Sequence, residues 1–287
     1  MFRLGYNTNG LAHHRLADAF TLLAELGYQG VAITPDVGEL DPLCLNHAMV
    51  DALARRARDL DLTLVVETGA RFVLDPRRKH RPSLLEDSAS DRERRIEFYR
   101  ASIELAHGLG APIVSIWSGS APTPNAGDAR DANRDIVEPL WDRLTTSLVP
   151  VLDHARSANV RIAFEPEPGM FVERTIGYLE LVRRLGDRGR ELALTLDVGH
   201  LLVTNDVPVG ERIRALAAHL AHVHLDDIRG RVHEHRMFGE GELDLAETLS
   251  ALRAIDFHGM AAVELSRDSH RGADAAAESM LHLRRAL

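Results

Sequence analysis

Short apolar segments alternate with longer amphipathic segments along the whole chain. The short segments are rich in Val, Ile, Leu and Phe and predict buried strands. They cover residues 2–6, 30–33, 62–67, 113–117, 161–165, 192–197, 220–225 and 259–264. The longer segments repeat their apolar residues with a period near 3.6, which predicts amphipathic helices. They cover residues 16–26, 50–60, 94–109, 140–158, 175–185, 209–218, 245–255 and 275–287.

Eight strands that alternate with eight helices predict a (β/α)8 TIM barrel, an α/β fold in which a parallel sheet closes on itself. We assign the whole chain, residues 1–287, to this single domain because the alternation runs from end to end. A doubly wound open sheet is the alternative, but that fold favours a Gly-rich phosphate loop after its first strand. The segment at that place, GYNTNG, matches the GxGxxG pattern poorly, so the barrel is the predicted fold.

Composition and charge narrow the classes of partner. The net charge of −9 disfavours a nucleic-acid-binding surface, which is normally basic. No apolar stretch reaches the roughly 18 residues that a membrane span needs, and we expect no secretory signal at the N-terminus. Cys44 is the single cysteine, so an intramolecular disulfide is excluded. We therefore expect a cytoplasmic protein that acts on a small molecule, without nucleic-acid or membrane partners, and whose apolar helices allow a homodimer.

Four residues with good metal-ligand atoms lie at or near the ends of the last four predicted strands. They are Glu165, Asp197, His224 and Glu264. Because side chains alternate along a strand, all four point into the barrel when the bulky residue before each of them packs outward. Three carboxylates without a cation would repel each other, whereas a divalent cation removes that conflict. Three carboxylates and one imidazole predict a site for Mn²⁺, with Mg²⁺, Co²⁺ or Zn²⁺ as alternatives.

Other side chains near these strand ends are candidates for substrate contact. Glu67 and Trp117 end the third and fourth strands and are predicted to line the pocket. Asp226 shares the face of His224 one step further along, so it is expected to contact substrate or to orient His224 or His235. These positions extend the candidate site around the predicted barrel mouth.

Two long segments follow the third and fourth strands, at residues 68–91 and 118–132. In a barrel both lie on the catalytic face, where they can cover the site. The first contains the basic run RFVLDPRRKHR at residues 71–81. This run is either a solvated loop or a clamp for a phosphate or carboxylate group of the substrate.

Five motifs in the second half of the chain resemble those of the xylose isomerase-like barrels. That superfamily contains sugar and sugar phosphate isomerases and epimerases, and also the endonuclease IV type of DNA-repair enzyme. The motifs are FEPEP with Glu165, LDVGH with Asp197 and His200, HVHLDD with His224, HEHRMFGEGELD starting at His233, and VELS with Glu264. The combination is specific to the superfamily but not to one reaction.

The resemblance implies roles for individual residues. In the epimerase branch, the residues that match Glu165, Asp197, His224 and Glu264 bind the metal, and the two glutamates also exchange the substrate proton. The residue that matches His200 contacts a substrate oxygen.

The resemblance leaves two further positions open. An arginine shortly after the metal histidine holds the substrate, and either Arg231 or Arg229 matches that place. A glutamate shortly after the first ligand supports the histidine of the Asp-x-x-His pattern, and either Glu167 or Glu173 matches it. We take Arg231 as the substrate-binding arginine.

The His-x-His pair at His233 and His235 has two interpretations. In the endonuclease branch, the corresponding place carries an Asp-x-His pair that binds a further zinc, and a His-x-His pair can serve likewise. The alternative, which we favour, is a substrate-contacting loop in which His235 is the better single candidate.

The sequence predicts a metal-dependent isomerase or epimerase of a sugar, keto-sugar, sugar acid or cyclitol. A cation bound to a carbonyl and its neighbouring hydroxyl stabilises an enediolate, and Glu165 and Glu264 then act as acid and base. A lyase that eliminates water or a glycosyl group would use the same site. An abasic-site endonuclease is less favoured, because its zinc-binding histidines are missing from the strand ends VVETGA and SIWSGS. A non-catalytic scaffold ranks last, since every ligand position is retained.

Overall fold

The computed structural model describes residues 1–35, 39–69, 71–121 and 134–287, with the backbone alone described for 134–136. In these residues, eight parallel strands close a barrel in the order β1-β10-β7-β6-β5-β4-β3-β2, and two further strands form a hairpin. The strands are β1 Arg3–Asn7, β2 Gly30–Ile33, β3 Thr63–Glu67, β4 Ile113–Ile116, β5 Arg161–Phe164, β6 Leu192–Asp197, β7 Leu220–Leu225, β8 Asp227–Arg229, β9 Val232–Arg236 and β10 Met260–Val263. The predicted (β/α)8 barrel is confirmed.

Helices surround the barrel. They are α1 Leu16–Leu26, α2 His47–Asp59, α3 Ala89–Leu109, α4 Arg134–Ser157, α5 Thr175–Arg184, α6 Val198–Val203, α7 Val209–Ala215, α8 Leu245–Ala254 and α9 Gly272–Ala286. The sequence-based boundaries differ most at α4, whose predicted start lay just after Pro139 although the helix includes that proline. None of the described helices is both long and apolar enough to cross a membrane.

Strand register brings the candidate ligands to one level of the barrel. Asp197 on β6 pairs with His224 on β7. Glu165 and Glu264 lie one residue beyond β5 and β10, yet their backbone N–H groups continue the ladders by donating to Ile116 O and Leu225 O at 2.8 and 3.0 Å. All four residues therefore sit at the carboxyl-terminal rim of neighbouring strands.

The predicted alternation of inward and outward side chains is also found. The bulky residues before the candidate ligands are buried in the main apolar core together with helix residues; they are Phe164, Leu196, Val223 and Val263. Below the rim the interior is filled mostly by small side chains such as Ala163, Ala193 and Ala262. This packing holds the rim residues on a rigid frame.

Two elements at the rim were not predicted. The short helix α6 begins directly after Asp197, whose Oδ1 accepts a hydrogen bond from His200 N at 2.8 Å and so caps the helix. The antiparallel hairpin β8-β9 follows β7. Both are too short to show a periodic apolar pattern, and together they carry His200, His233 and His235 to the barrel mouth.

The loop after β3 is anchored by a buried guanidinium. Arg95 on α3 is 1% exposed and donates from Nε to Pro82 O at 2.7 Å and from Nη2 to His80 O at 2.8 Å. Its guanidinium carbon lies 5.0 Å from the centre of the Trp117 ring, within the range of a cation–π contact. Arg95 therefore ties the loop to the wall of the site.

We expect Arg95→Met to lower the free energy of unfolding by about 2–4 kcal/mol, because one buried and one partly buried carbonyl group lose their donor. Arg100 lies on the same helix and pairs with Glu93 and Glu97 of that helix, so Arg100→Met serves as the control and should change stability by about 0.5 kcal/mol or less. Urea denaturation of both variants measures the difference. Equal losses in the two variants would show that the buried contacts of Arg95 do not anchor the loop.

Candidate metal centre

Three carboxylates converge on one ring nitrogen at the barrel mouth. His224 Nδ1 lies 2.9 Å from Glu264 Oε2, 3.1 Å from Glu165 Oε1 and 3.7 Å from Asp197 Oδ2. Asp197 Oδ2 is buried and has no hydrogen-bond partner among the described residues. Oxygen atoms gathered around one imidazole nitrogen form a donor set that suits a divalent cation.

The electrostatics of this cluster fit the same interpretation. Burial would lower the pKa of His224, but Glu165, Glu67 and Glu264 outweigh it and raise that pKa well above its usual value. Burial raises the pKa of Glu165 to about 7, assisted by Glu264 and opposed by His224. Without a metal, the protonated His224 ring thus supplies the positive charge that the carboxylates need. A bound cation would supply that charge instead, and His224 would then lose its Nδ1 proton.

Glu67 fixes the orientation of His224. Its Oε1 lies 3.1 Å from His224 Nε2 and 2.9 Å from His222 Nε2. Although burial alone would raise the pKa of Glu67, the two imidazoles hold it well below its usual range. An ionised Glu67 therefore accepts the Nε2 proton of His224 and leaves Nδ1 directed at the three carboxylates. We predicted Glu67 as a substrate contact. In the structure it lies in the cavity wall, and its carboxylate contacts His222 and His224.

Replacing Glu67 by Gln is expected to weaken Mn²⁺ binding by about 10–100-fold, because the His224 ring loses the anion that orients it. The control is Glu39→Gln, since Glu39 lines the same cavity but accepts from Leu16 N at 2.8 Å. Titration of Mn²⁺ followed by electron paramagnetic resonance measures both affinities. If Glu67→Gln binds Mn²⁺ as tightly as the wild type, Glu67 does not orient His224 for metal binding.

A second group of nitrogen ligands lies beside the first. His233 Nε2 is 3.0 Å from His200 Nε2 and 3.1 Å from His235 Nε2. His200 Nδ1 lies 3.2 Å from Pro166 O, and His235 Nδ1 lies 2.8 Å from Asp226 Oδ2. With the Nδ1 atoms of His200 and His235 held in this way, the three Nε2 atoms face one another and form a second set of potential metal ligands.

Both groups open into one cavity of about 980 Å³ at the carboxyl-terminal face of the barrel. Its wall includes Glu165, His224, Glu264 and, as predicted, Trp117. The His80 ring meets the Trp117 ring edge-on, with 5.0 Å between the ring centres. Of the predicted loop at residues 118–132, residues 122–132 lie outside the described part of the chain.

Comparison with known proteins identifies the family of this barrel. Residues 20–286 match the family model described as the xylose isomerase-like TIM barrel. The chain belongs to the xylose isomerase-like TIM barrel family. A relative from Methanocaldococcus jannaschii, MJ1311, is 25% identical over 173 residues, which are 59% of this chain and 56% of that protein. The match thus spans little more than half the length of that relative.

Solved members of the superfamily share the fold over their full length. D-Allulose 3-epimerase from Methylomonas sp. is 14% identical, with a TM-score of 0.77 over 100% of this chain and 98% of that chain. 3-Keto-D-glucoside 4-epimerase YcjR from E. coli is 16% identical, with a TM-score of 0.74 over 99% and 100% of the two chains. IolI, solved with a bound zinc atom, is 17% identical, with a TM-score of 0.73 over 100% and 99%. At such identities the likeness concerns the fold.

The positions of Glu167 and Asp226 in this xylose isomerase-like barrel distinguish between alternatives that the sequence left open. Glu167 Oε2 lies 3.6 Å from His200 Nε2, whereas Glu173 Oε2 accepts from Gly169 N at 3.3 Å. Asp226 is fully buried and contacts His235. Of the alternatives left open, the geometry favours Glu167 as the neighbour of His200 and Asp226 as the residue that orients His235.

The structure does not bring Arg231 to the cavity. Arg231 lies in the turn of the β8-β9 hairpin with a positive φ of 61°, and its exposed side chain donates from Nε to Val203 O at 3.1 Å. Arg229 is also exposed. The family resemblance implied that one of these arginines contacts the substrate, but the hairpin turns both away from the cavity. Arg267, which follows β10, lines the cavity instead.

One contact to the centre was missed at the sequence level. Asn9 Nδ2 donates to Glu264 Oε1 at 2.8 Å, so the loop after β1 holds one of the two candidate proton carriers. The signal lay in the polar segment NTNG directly after the first strand, since loops after barrel strands face the site.

Proposed function

We propose that this protein is a divalent-metal-dependent isomerase or epimerase of a sugar, keto-sugar, sugar acid or cyclitol. The observation that carries the proposal is the convergence of Glu165, Asp197 and Glu264 on His224 Nδ1 at the wall of a large cavity. A polar, carboxylate-rich wall suits a ligand with many hydroxyl groups better than it suits an apolar ligand.

Glu165, Asp197, His224 and Glu264 would hold the cation. We propose Mn²⁺, because three oxygen ligands and one nitrogen ligand suit it, with Mg²⁺, Co²⁺ or Zn²⁺ as alternatives. The bound ion would supply positive charge next to the substrate oxygens, which stabilises the negative charge that develops when a neighbouring carbon loses its proton.

Glu165 and Glu264 are the groups that would move that proton. Their strands, β5 and β10, are separated in the barrel by β6 and β7, so the two carboxylates approach His224 from different sides. Burial would raise the pKa of Glu264, but His224 and His235 lower it to about 2, so it is ionised at neutral pH. One glutamate, as the carboxylate, would take the proton, and the other, as the carboxylic acid, would give its own proton to the opposite face of the same carbon, which gives epimerisation. Return to the neighbouring carbon gives isomerisation.

The remaining cavity groups would bind and orient the substrate. His233 and His235 line the cavity and would contact its oxygens, whereas His200 lies behind them with its Nε2 3.0 Å from His233 Nε2. Trp117 offers a flat apolar surface to the carbon skeleton. The proposed partner is a small sugar-like molecule. A homodimer and a cytoplasmic location stay predictions.

Deuterium incorporation tests the proposal. The Mn²⁺-loaded protein is incubated in D₂O with a panel of ketoses, keto-sugar acids and keto-inositols, and products are analysed by NMR and mass spectrometry. We expect a carbon-bound deuterium in a product with otherwise unchanged formula. Loss of water or of a glycosyl group would identify the lyase alternative, in which the same base acts before an elimination. Absence of exchange with the whole panel would contradict both.

A further inference from the structure

The cavity is lined by charged groups of both signs. Glu67, Glu165 and Glu264 of the metal centre contribute carboxylates. The loop after β3 contributes two cationic side chains, Arg71 and Lys79. A ligand in the cavity can therefore contact acidic groups of the metal centre and basic groups of this loop.

Arg71 and Lys79 are set apart from the other basic residues of their loop. Arg78 pairs with Asp75 at 2.6 Å and Arg81 pairs with Glu86 at 2.6 Å. Among the described residues, neither Arg71 nor Lys79 has a carboxylate within ion-pair distance. Their charges are available to a ligand in the cavity.

A backbone hydrogen bond connects the two parts of the loop that carry these cations. The backbone N–H of His80 donates to Arg71 O at 2.7 Å, which joins the segments that carry Arg71 and Lys79. Arg95 Nη2 donates a hydrogen bond to the backbone carbonyl of His80. Burial lowers the pKa of His80 to about 4, and Lys79, Arg95 and Arg71 add to that shift, as expected in a positive field. Binding of an anion near these positive charges is favoured electrostatically.

We propose that Arg71 and Lys79 bind an anionic group of the substrate, so that the enzyme acts on a polyol that carries a phosphate or a carboxylate. The inference rests on the proposed function for the reacting end of the molecule. Phosphate and carboxylate share the chemistry that the two cations recognise, namely negatively charged oxygens that accept charge-assisted hydrogen bonds. Glu39 also lines the cavity, but its carboxylate accepts from Leu16 N at 2.8 Å.

Binding of three matched polyols to the metal-loaded full-length protein tests this inference. The probes are D-glucitol, D-glucitol 6-phosphate and D-gluconate, measured by isothermal titration calorimetry. We expect at least one anionic probe to bind at least about tenfold more tightly than D-glucitol, as a charge-assisted contact predicts. The double variant R71Q/K79Q should lose that preference and leave D-glucitol binding unchanged. The probe with the larger loss identifies the phosphate or the carboxylate as the preferred group.

Arg77→Gln is the matched control, because Arg77 is an exposed arginine of the same loop that does not line the cavity. It should keep the preference. A preference that survives in R71Q/K79Q, or that falls equally in R77Q, would overturn the proposal, since Arg267 of the cavity wall, the metal or the overall charge would then explain it. The deuterium assay reports the reaction at the metal centre, whereas calorimetry reports the contact with the anionic group. Failure of exchange with ketose phosphates and keto-sugar acids, together with an intact anion preference, would therefore overturn the proposed function alone.

Discussion

Glu264→Gln is expected to reduce deuterium exchange into the substrate by about 10³-fold, a typical effect of removing a general base. Glutamine has nearly the same shape but cannot take up a proton at neutral pH. Its side-chain oxygen can still accept from Asn9 Nδ2, the contact that holds Glu264 at 2.8 Å. The loss should therefore arise from the missing base and the weaker metal ligand rather than from a displaced side chain. Glu165→Gln should cause a loss of the same order.

The exchange rate is measured at saturating Mn²⁺, so that weaker metal binding does not by itself lower the rate. Glu173→Gln is the matched control, because its carboxylate bonds to Gly169 N beyond the end of β5. It should exchange deuterium like the wild-type protein. If Glu165→Gln and Glu264→Gln both bind metal and react like the wild type, the assignment of the two proton carriers is wrong.

Asp197→Asn is expected to weaken Mn²⁺ binding by at least about 100-fold, because one of three ligand charges is lost and its buried Oδ2 is replaced by an amide nitrogen. The substitution keeps an oxygen that can cap α6 by accepting from His200 N. The fold should therefore persist while the ion-binding site fails. Thermal unfolding and Mn²⁺ titration of the same preparation separate these two effects.

Asp244→Asn provides the control for this prediction. Asp244 caps α8 by accepting from Glu247 N at 2.9 Å, so the same substitution is made at a second helix N-terminus. Its Mn²⁺ affinity should equal that of the wild type. Wild-type affinity in Asp197→Asn would show that Asp197 is a cap and not a ligand.

The fold and the four candidate ligands could be predicted because both depend on local periodicity. A strand of the barrel buries both faces, and side-chain alternation determines which residue points inward at the rim. Asp197 and His224 are paired across β6 and β7, as parallel neighbours with the same inward direction must be. No long-range information was needed for that result.

The partners of the ligands could not be predicted in the same way. Glu67 and His224 are 157 residues apart, and their contact depends on barrel closure and on the length of the Glu67 side chain. The position of Arg231 depends on the geometry of the β8-β9 hairpin, whose turn directs that side chain to Val203 O. Arg95 anchors the basic loop from a buried position on an amphipathic helix. The pattern of apolar residues does not indicate that a charged residue is buried there.

A crystal structure of the protein soaked in Mn²⁺, with anomalous scattering data collected at the manganese edge, tests the central claim most directly. We predict one strong anomalous peak bonded to His224 Nδ1 and to carboxylate oxygens of Glu165, Asp197 and Glu264. A peak bound by His200, His233 and His235 with none at the carboxylates, or no peak in the cavity, would contradict the proposed metal centre.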